Sequence, residues 1–131
     1  MEDSIFTKII KGEIPCHKIY EDDKTFAFLD IHPIQPGHVL VVPKHQVAYV
    51  WNLADDDYMA VMATAKKVAQ RLREVFADKS LVAMHIEGLD IEHAHLKIFP
   101  FNTDEEFRYH PDTSAEPDHV ALAALAEKLA F

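Results

Sequence analysis

The chain has little of several residue types on which whole classes of protein depend. Cys16 is the one cysteine among 131 residues, so an internal disulfide is excluded, and so is a zinc site built on several cysteines. A lone cysteine is typical of a reduced, cytoplasmic setting, which we therefore expect. No apolar run approaches the roughly 20 residues of a membrane span. The acidic residues Glu2 and Asp3 near the start predict no signal peptide.

Basic side chains are also outnumbered. The sequence has 13 Lys and Arg against 22 Asp and Glu, which gives a net charge of −9. Proteins that act mainly on nucleic acid carry a basic patch or stripe, so we expect no nucleic-acid partner, and the lack of a long apolar run predicts no membrane partner. Any anion site must be a local positive spot in a negative protein. The 49% of hydrophobic residues suffice for the core of one domain over residues 1–131.

Apolar patterns separated by turn residues predict five strands and three helices. A short helix capped by Asp3 or Ser4 ends at Gly12, and a long helix begins at the acidic run 55–57, which suits the positive end of a helix dipole. The apolar residues of the long helix recur at 3.6-residue spacing: Tyr58, Val61, Met62, Ala65, Val68, Leu72, Val75 and Phe76. The predicted strands cover residues 18–21, 25–29, 38–42, 81–86 and 91–99.

The C-terminal part is predicted to be less regular. Residues 101–116 are polar and form an irregular connection, and Pro117 then begins a last helix, appended to the domain over 116–131. Its predicted apolar positions are Val120, Leu122, Leu125 and Leu129. We expect no specific role for His110 or His119. Hairpins with one long helix predict an α+β fold, in which a five-stranded antiparallel sheet carries the long helix and short terminal helices.

The most informative segment is 93–99, His-Ala-His-Leu-Lys-Ile-Phe. Successive side chains of a strand point to opposite faces, so His93, His95 and Lys97 are predicted to project from one face while the apolar residues between them pack in the core. Two imidazoles and an ammonium on one face suit a site that meets phosphate. Imidazole titrates near neutrality, so it offers a neutral ring nitrogen as a nucleophile.

This segment resembles the signature of the histidine triad (HIT) family, His-x-His-x-His followed by two apolar residues. Further segments resemble the family in the same order along the chain: the helix at 5–10 with Gly-Glu-Ile-Pro at 12–15, Phe-Leu-Asp-Ile-His-Pro at 28–33, and Pro-Gly-His-Val-Leu-Val-Val-Pro-Lys at 36–44. Residues 88–95 resemble a bacterial branch with a short loop before the triad. On these motifs the chain is identified as a member of the family.

The resemblance implies a HIT-like fold and a small homodimer that binds purine nucleotides and attacks their α-phosphate. His95 would be the nucleophile and would form a nucleotidyl-histidine that water hydrolyses, while His93 would orient it. The implied substrates are adenosine phosphoramidates or dinucleoside polyphosphates. No cofactor is required, and no metal either, because nothing in the sequence supplies an obvious third and fourth ligand to the His-x-His pair.

The resemblance also implies a nucleotide-binding set beside the triad. Asp30 would accept hydrogen bonds from the ribose hydroxyls, and His38 would lie next to the site. An apolar slot for the base would be formed by Phe6, Ile9, Phe28 and Ile31. The plain alternatives are a turn cap for Asp30, a surface imidazole for His38 and ordinary core packing for the other four.

The chain departs from the family pattern at the third triad position, where Lys97 replaces histidine. In the family that residue lies beside the phosphates and assists the leaving group. A lysine still neutralises phosphate charge, but it donates a proton poorly near pH 7 because its reference pKa is about 10.4. Ile86, Leu89 and Asp90 also replace polar phosphate contacts of larger relatives. The alternative function is therefore nucleotide binding with little or no turnover, and a third is an interaction protein on the dimer scaffold.

Overall fold

The computed structural model describes residues 2–131, and its helices and strands follow the predicted order. The helices are α1 (Ile5–Ile10), α2 (Asp55–Val75), α3 (Asp104–Phe107) and α4 (His119–Leu129). The strands are β1 (Lys18–Glu21), β2 (Thr25–Leu29), β3 (Val39–Pro43), β4 (Leu81–His85) and β5 (Leu96–Phe101). The predicted bounds of β1 and β2 are confirmed, and α2 begins at Asp55 as predicted.

All five strands form one antiparallel sheet in the order β1-β2-β3-β5-β4. The predicted α+β class is therefore confirmed. β5 lies between β3 and β4. The end of the loop 86–95, which leads into β5, therefore lies next to the middle of the sheet. Side chains from β2, β3, β5 and β4 that lie directly opposite one another share a face, and this register positions the site described below.

The two faces of the sheet are covered by different elements. One face packs against α2 and α4, and its core includes Leu72 of α2, Leu129 of α4 and Ile98 of β5, each about 1% exposed or less. The other face carries a smaller apolar cluster in which Phe6 of α1 packs edge-on against Phe28 of β2, with ring centroids 5.6 Å apart. The site lies on this second face.

The fifth strand is shorter at its start than predicted. It begins at Leu96 rather than residue 91, so the prediction that His93 and His95 stand on a strand is wrong. The backbone N–H of Ala94 donates to Val47 O at 2.7 Å, and the Pro43 carbonyl is engaged by the His93 ring at 2.8 Å. The segment therefore leaves the sheet. The apolar alternation still holds, since Ala94, Leu96 and Ile98 all lie in the main core.

Other bounds differ by one or two residues. β5 continues through Pro100, where it pairs with Val82 of β4 alone, and a residue without an N–H is tolerated beside an unpaired edge. α4 begins at His119 because Asp118, rather than Pro117, caps it by accepting from Ala121 N. β3 begins at Val39 and β4 ends at His85, while α3 falls in the connection predicted to be irregular.

The C-terminal helix corrects one prediction about its apolar face. Val120 is 84% exposed, whereas the predicted positions Leu122 and Leu129 are buried together with Ala126. The Nδ1 atom of His119 lies 3.0 Å from His17 Nε2. Within residues 2–131, no helix combines the length and apolar character that a membrane span requires.

Candidate active site

A cavity of about 260 Å³ opens between α1, β2, β3 and the segment that leads into β5. Seven of the nine side chains predicted for the site line it: Phe6, Ile9, Phe28, Asp30, Ile31, His95 and Lys97. Most of its wall is apolar, while its polar groups are confined to one end. His93 and His38 do not line this cavity. We call it the nucleoside cavity, after the role proposed for it below.

His95 is held in a single orientation at the polar end. Its Nδ1 lies 2.8 Å from the backbone carbonyl of His93, and since a carbonyl only accepts, Nδ1 carries the hydrogen. In the neutral ring Nε2 then has a free lone pair. The ring is 5% exposed and packs edge-on against Phe6 at 5.3 Å between centroids. The arrangement presents a nitrogen nucleophile that needs no prior deprotonation.

His93 lies behind the nucleoside cavity and is fully buried. Its Nε2–H donates to Pro43 O at 2.8 Å, so its Nδ1 accepts, and Ser4 Oγ donates to it at 2.6 Å. Burial lowers the pKa of His93, which keeps the ring neutral. These hydrogen bonds hold the His93 residue whose backbone carbonyl accepts from His95 Nδ1.

Ser4 extends this arrangement into α1. Its Oγ accepts from Thr7 N at 3.0 Å and so caps the helix. Thr7 Oγ1 donates to Gln46 Oε1 at 2.6 Å, and the same oxygen accepts from Ser4 N at 2.8 Å. Sequence reasoning placed Ser4 as a cap but missed its link to His93, which joins residues 89 positions apart.

Buried His38 and half-buried Asp30 lie close together at the boundary of the nucleoside cavity. Asp30 Oδ1 accepts from His32 N at 2.8 Å, and burial raises the pKa of Asp30 against the backbone hydrogen bond and nearby Lys97. Its Oδ2 lies 3.7 Å from His38 Nε2. Asp30 thus combines the predicted turn hydrogen bond with a carboxylate oxygen that lines the cavity.

The tautomer of His38 follows from one hydrogen bond. Its Nδ1 accepts from Ile34 N at 3.0 Å, so Nε2 carries the hydrogen. The side chain is 2% exposed, and burial lowers the pKa of His38 to about 3. Among residues 2–131 its Nε2 has no hydrogen-bond partner. A buried donor without a partner is costly, which points to a ligand acceptor at this position. The alternative of a surface imidazole is wrong.

A second cavity of about 670 Å³ adjoins the first, and we call it the leaving-group cavity. The two share Asp30, Asp90, Ile91 and Lys97. Most residues that line the second cavity have polar or charged side chains, and those not shared with the first include His32, His38, His85, Glu87, Arg108, Tyr109 and His110. His110, for which we expect no specific role, is among these lining residues. Sequence reasoning did not identify this cavity.

Lys97 stands at the junction of the two cavities. Its Nζ lies 2.6 Å from Glu87 Oε1, and this hydrogen bond lowers the pKa of Glu87. Asp90 lies nearby with φ +69°, and Ile91 N donates to Leu89 O across it at 2.8 Å. The loop before the triad is therefore a tight turn that brings a carboxylate to both cavities.

The remaining loop positions have different surroundings. Ile86 packs against the main core, while Leu89 is 61% exposed. Neither lines the nucleoside cavity. Among residues 2–131, no three His, Cys, Asp or Glu side chains come together in a way that could hold a metal ion.

Comparison with known proteins identifies the family. The model of the HIT domain matches residues 11–103, which is most of the chain. The chain belongs to the HIT family. A HIT relative, the hit protein of Bacillus subtilis, is 35% identical over 103 residues, which cover 76% of this chain and 71% of that protein.

Two further HIT relatives bear on function and fold. Adenosine 5'-monophosphoramidase of Candida albicans is 48% identical over 69 residues, or 53% of this chain, and the chain spans about half of that relative's length, 45%. The crystal structure of a HIT-like protein of Bartonella henselae, described as involved in cell-cycle regulation and solved with an unknown ligand, matches with a TM-score of 0.78 at 29% identity. That match covers 97% of this chain and 94% of the other.

Proposed function

We propose that this HIT protein attacks the α-phosphate of purine nucleotide conjugates and works as a hydrolase or transferase. Adenosine phosphoramidates are the first substrate class, and dinucleoside polyphosphates are the second. The observation that carries the proposal is the orientation of His95, whose Nδ1–H is held by the His93 carbonyl at the wall of an apolar cavity. The similarity to a protein named adenosine 5'-monophosphoramidase supports the choice of substrate.

The proposed reaction has two steps. The lone pair of His95 Nε2 forms a bond to the α-phosphorus, and the bond to the leaving group breaks with its electron pair on that group. Water then attacks the phosphorus of the nucleotidyl-histidine and gives up a proton to a nearby base, and the nitrogen–phosphorus bond breaks with its electron pair on Nε2, which releases the nucleotide and restores neutral His95. The covalent route divides one hard substitution into two easier ones. Lys97 and the unpartnered N–H of His38 are placed to stabilise charge on the phosphoryl oxygens.

The nucleoside would occupy the cavity that bears its name. Phe6 and Phe28 offer aromatic surfaces to a flat base, with Ile9 and Ile31 completing the slot. The Asp30 carboxylate would accept hydrogen bonds from the ribose diol. His95 and Lys97 would then face the α-phosphate. This order follows the wall of the cavity from its apolar to its polar end.

We also propose a homodimer that continues the sheet through β4. The other edge strand, β1, is partly covered, because Phe131 N donates to Ile19 O at 3.1 Å and the Phe131 ring stacks on Tyr20. In contrast, β4 is open and exposes Leu81 and Met84, and such an edge favours pairing with another strand. Light scattering should give twice 14.9 kDa. A strictly monomeric protein at micromolar concentration would refute the dimer.

Mass spectrometry tests the proposed nucleophile. Wild-type protein quenched during turnover of an adenosine phosphoramidate should carry the mass of AMP, and His95→Ala should not. Loss of a nucleophile costs on the order of 10⁴-fold or more in kcat. His45→Ala is the matched control, because His45 is an exposed imidazole paired with Asp57 away from both cavities. Equal turnover by His95→Ala and wild type would exclude His95 as the nucleophile.

One observation favours the second candidate, a nucleotide-binding protein with little turnover. The Lys97 ammonium is already paired with Glu87 at 2.6 Å, which reduces the charge it offers to a phosphate. In that case AMP would bind, and neither an adduct nor product would form. A cytoplasmic location and membership of the bacterial short-loop branch stay predictions.

A further inference from the structure

Four side chains form one row across four neighbouring strands on the site face of the sheet. Phe28 of β2 lies opposite Leu40 of β3, Leu40 lies opposite Lys97 of β5, and Lys97 lies opposite His85 of β4. Neighbouring strands are about 4.8 Å apart, and residues directly opposite one another have Cβ atoms about 5 Å apart. The row therefore runs from the base slot at Phe28 to an imidazole directly beside Lys97.

The ring of His85 packs against aromatic rings but forms no hydrogen bond with a described residue. Its ring meets the ring of Phe99 at 5.2 Å and that of Phe107 at 5.3 Å, both nearly perpendicular, at 89° and 84°. These contacts limit the directions the imidazole can take. No described residue hydrogen-bonds to either ring nitrogen, and the side chain lines the leaving-group cavity. The imidazole is therefore available to a ligand.

The order of the row matches the order of parts in the proposed substrate. The nucleoside cavity lies over β2 and β3 and is lined by His95, and Lys97 lines both cavities where they meet. A displacement at phosphorus sends the leaving group away from the attacking atom. From the nucleoside cavity, the space that continues past Lys97 is the leaving-group cavity, with His85 in its wall.

We propose that His85 protonates the leaving group and so supplies the imidazole that the third triad position lacks. The inference rests on the proposed function. As His95 Nε2 bonds to phosphorus, the phosphorus–nitrogen bond of a phosphoramidate breaks. The departing nitrogen keeps the electron pair and takes the proton of the His85 imidazolium, so that it leaves as a neutral amine. In the second step neutral His85 takes a proton from the attacking water and is restored.

The neighbouring groups are less suited to this task. Lys97 has a reference pKa of about 10.4 and is paired with Glu87, so it serves as a charge rather than a proton donor. His38 has a pKa of about 3 and stays neutral near pH 7. The charged and titratable groups around His85 include Lys97 from β5, Glu87 from the following loop and His38 just before β3. Arg108, Tyr109 and His110, from the connection after β5, line the same cavity.

A pair of substrates separates acid catalysis from structure. We expect His85→Gln to lower kcat/KM about 100-fold for a phosphoramidate of a simple amine, since positioned acid catalysis is worth about 10² to 10⁴-fold. For an AMP ester of a nitrophenol, which leaves without a proton, the change should stay within about threefold. The limb of the phosphoramidate pH profile that reports the acid should disappear. His45→Gln, at an exposed imidazole outside both cavities, is the matched control and should show no such selectivity.

A variant that moves the imidazole from position 85 to position 97 provides a second test. Lys97→His in the His85→Gln background should restore phosphoramidate turnover at least tenfold, because the two positions are directly opposite in the sheet. Equal losses on both substrates would assign His85 a structural role, and no loss on the phosphoramidate would exclude it as the acid. Both results overturn the inference. If wild type turns over neither substrate and forms no adduct, the proposed function fails and the inference with it.

Discussion

The two cavities differ in how their walls are built. The nucleoside cavity is small and mostly apolar, and the hydrogen bonds of His93 to Ser4 and to Pro43 hold α1 and β3 to the triad segment. The leaving-group cavity is larger and is lined mostly by residues with polar or charged side chains, and part of its wall comes from the connection after β5, around Arg108 and His110. The difference teaches that, on the proposed function, recognition of the nucleotide would depend on residues of the family motifs, while selection among leaving groups would depend on side chains outside them.

The largest effect that separates the two cavities should come from Asp30. Its oxygens line the nucleoside cavity, and hydrogen bonds to a charged group contribute about 1.5–3 kcal/mol each. Asp30→Ala should therefore weaken AMP binding by about 30-fold or more, measured by titration calorimetry. The ratio of kcat/KM between phosphoramidate and nitrophenyl ester should not change.

Asp30→Asn is the matched control. It keeps the size of the side chain and one acceptor oxygen while removing the charge, so its loss of affinity should be smaller. A larger change in the ratio of kcat/KM between the two substrates than in the affinity for AMP would contradict the proposal that one cavity binds the nucleotide and the other the leaving group.

The sequence predicts the nucleoside cavity well because its residues lie in contiguous motifs. Phe28, Asp30 and Ile31 come from one short stretch, and their surroundings follow from the pairing of two adjacent strands. His85 could not be found in this way, because its place beside Lys97 depends on the register of β4 against β5. Ten residues separate those strands, and a loop of that length does not determine register as a two-residue hairpin turn does.

The first residue of β5 could not be predicted either, because it also depends on a contact between distant parts of the chain. Alternation over residues 91–99 describes side-chain direction correctly for Ala94, Leu96 and Ile98. The alternation cannot show that the His93 ring hydrogen-bonds to the Pro43 carbonyl, so that the strand begins only at Leu96. That contact joins distant parts of the chain. A polar side chain that replaces a backbone partner leaves no mark in local periodicity.

A smaller effect concerns stability against pH at the boundary of the cavities. His38 has a pKa lowered by burial from its ordinary 6.5 to about 3. The unfolded chain therefore takes up a proton near pH 6.5 that the folded chain refuses, so stability is fully present above pH 6.5 and falls as pH falls toward 3. One proton corresponds to about 1.4 kcal/mol per pH unit. We expect His38 to account for a loss of about 2 kcal/mol between pH 6.5 and 5.

Denaturant unfolding of wild type and His38→Gln measures this contribution. The glutamine variant should show a shallower decline over the same pH range, whatever its stability at pH 7. His93 also has a lowered pKa and acts in the same direction in both proteins. Asp30 acts in the opposite direction, because burial raises its pKa and the folded state then binds its proton first. Parallel curves for the two proteins would show that His38 is not held neutral.

The smallest effect should come from Asp90, the carboxylate that both cavities share. A like charge several ångströms from a phosphate costs about 0.5 kcal/mol in a water-like dielectric. Asp90→Asn should therefore tighten AMP binding about two- to threefold at low salt. Asparagine accepts the left-handed backbone at φ +69° as readily as aspartate does, so the turn is kept. The gain should shrink as salt rises, since screening weakens the repulsion.

Glu92→Gln, which removes an exposed charge two residues away and outside both cavities, is the matched control and should leave affinity unchanged. Unchanged affinity in Asp90→Asn at low salt would show that a bound phosphate lies beyond the reach of this carboxylate, and would move the phosphate from the shared boundary toward His95.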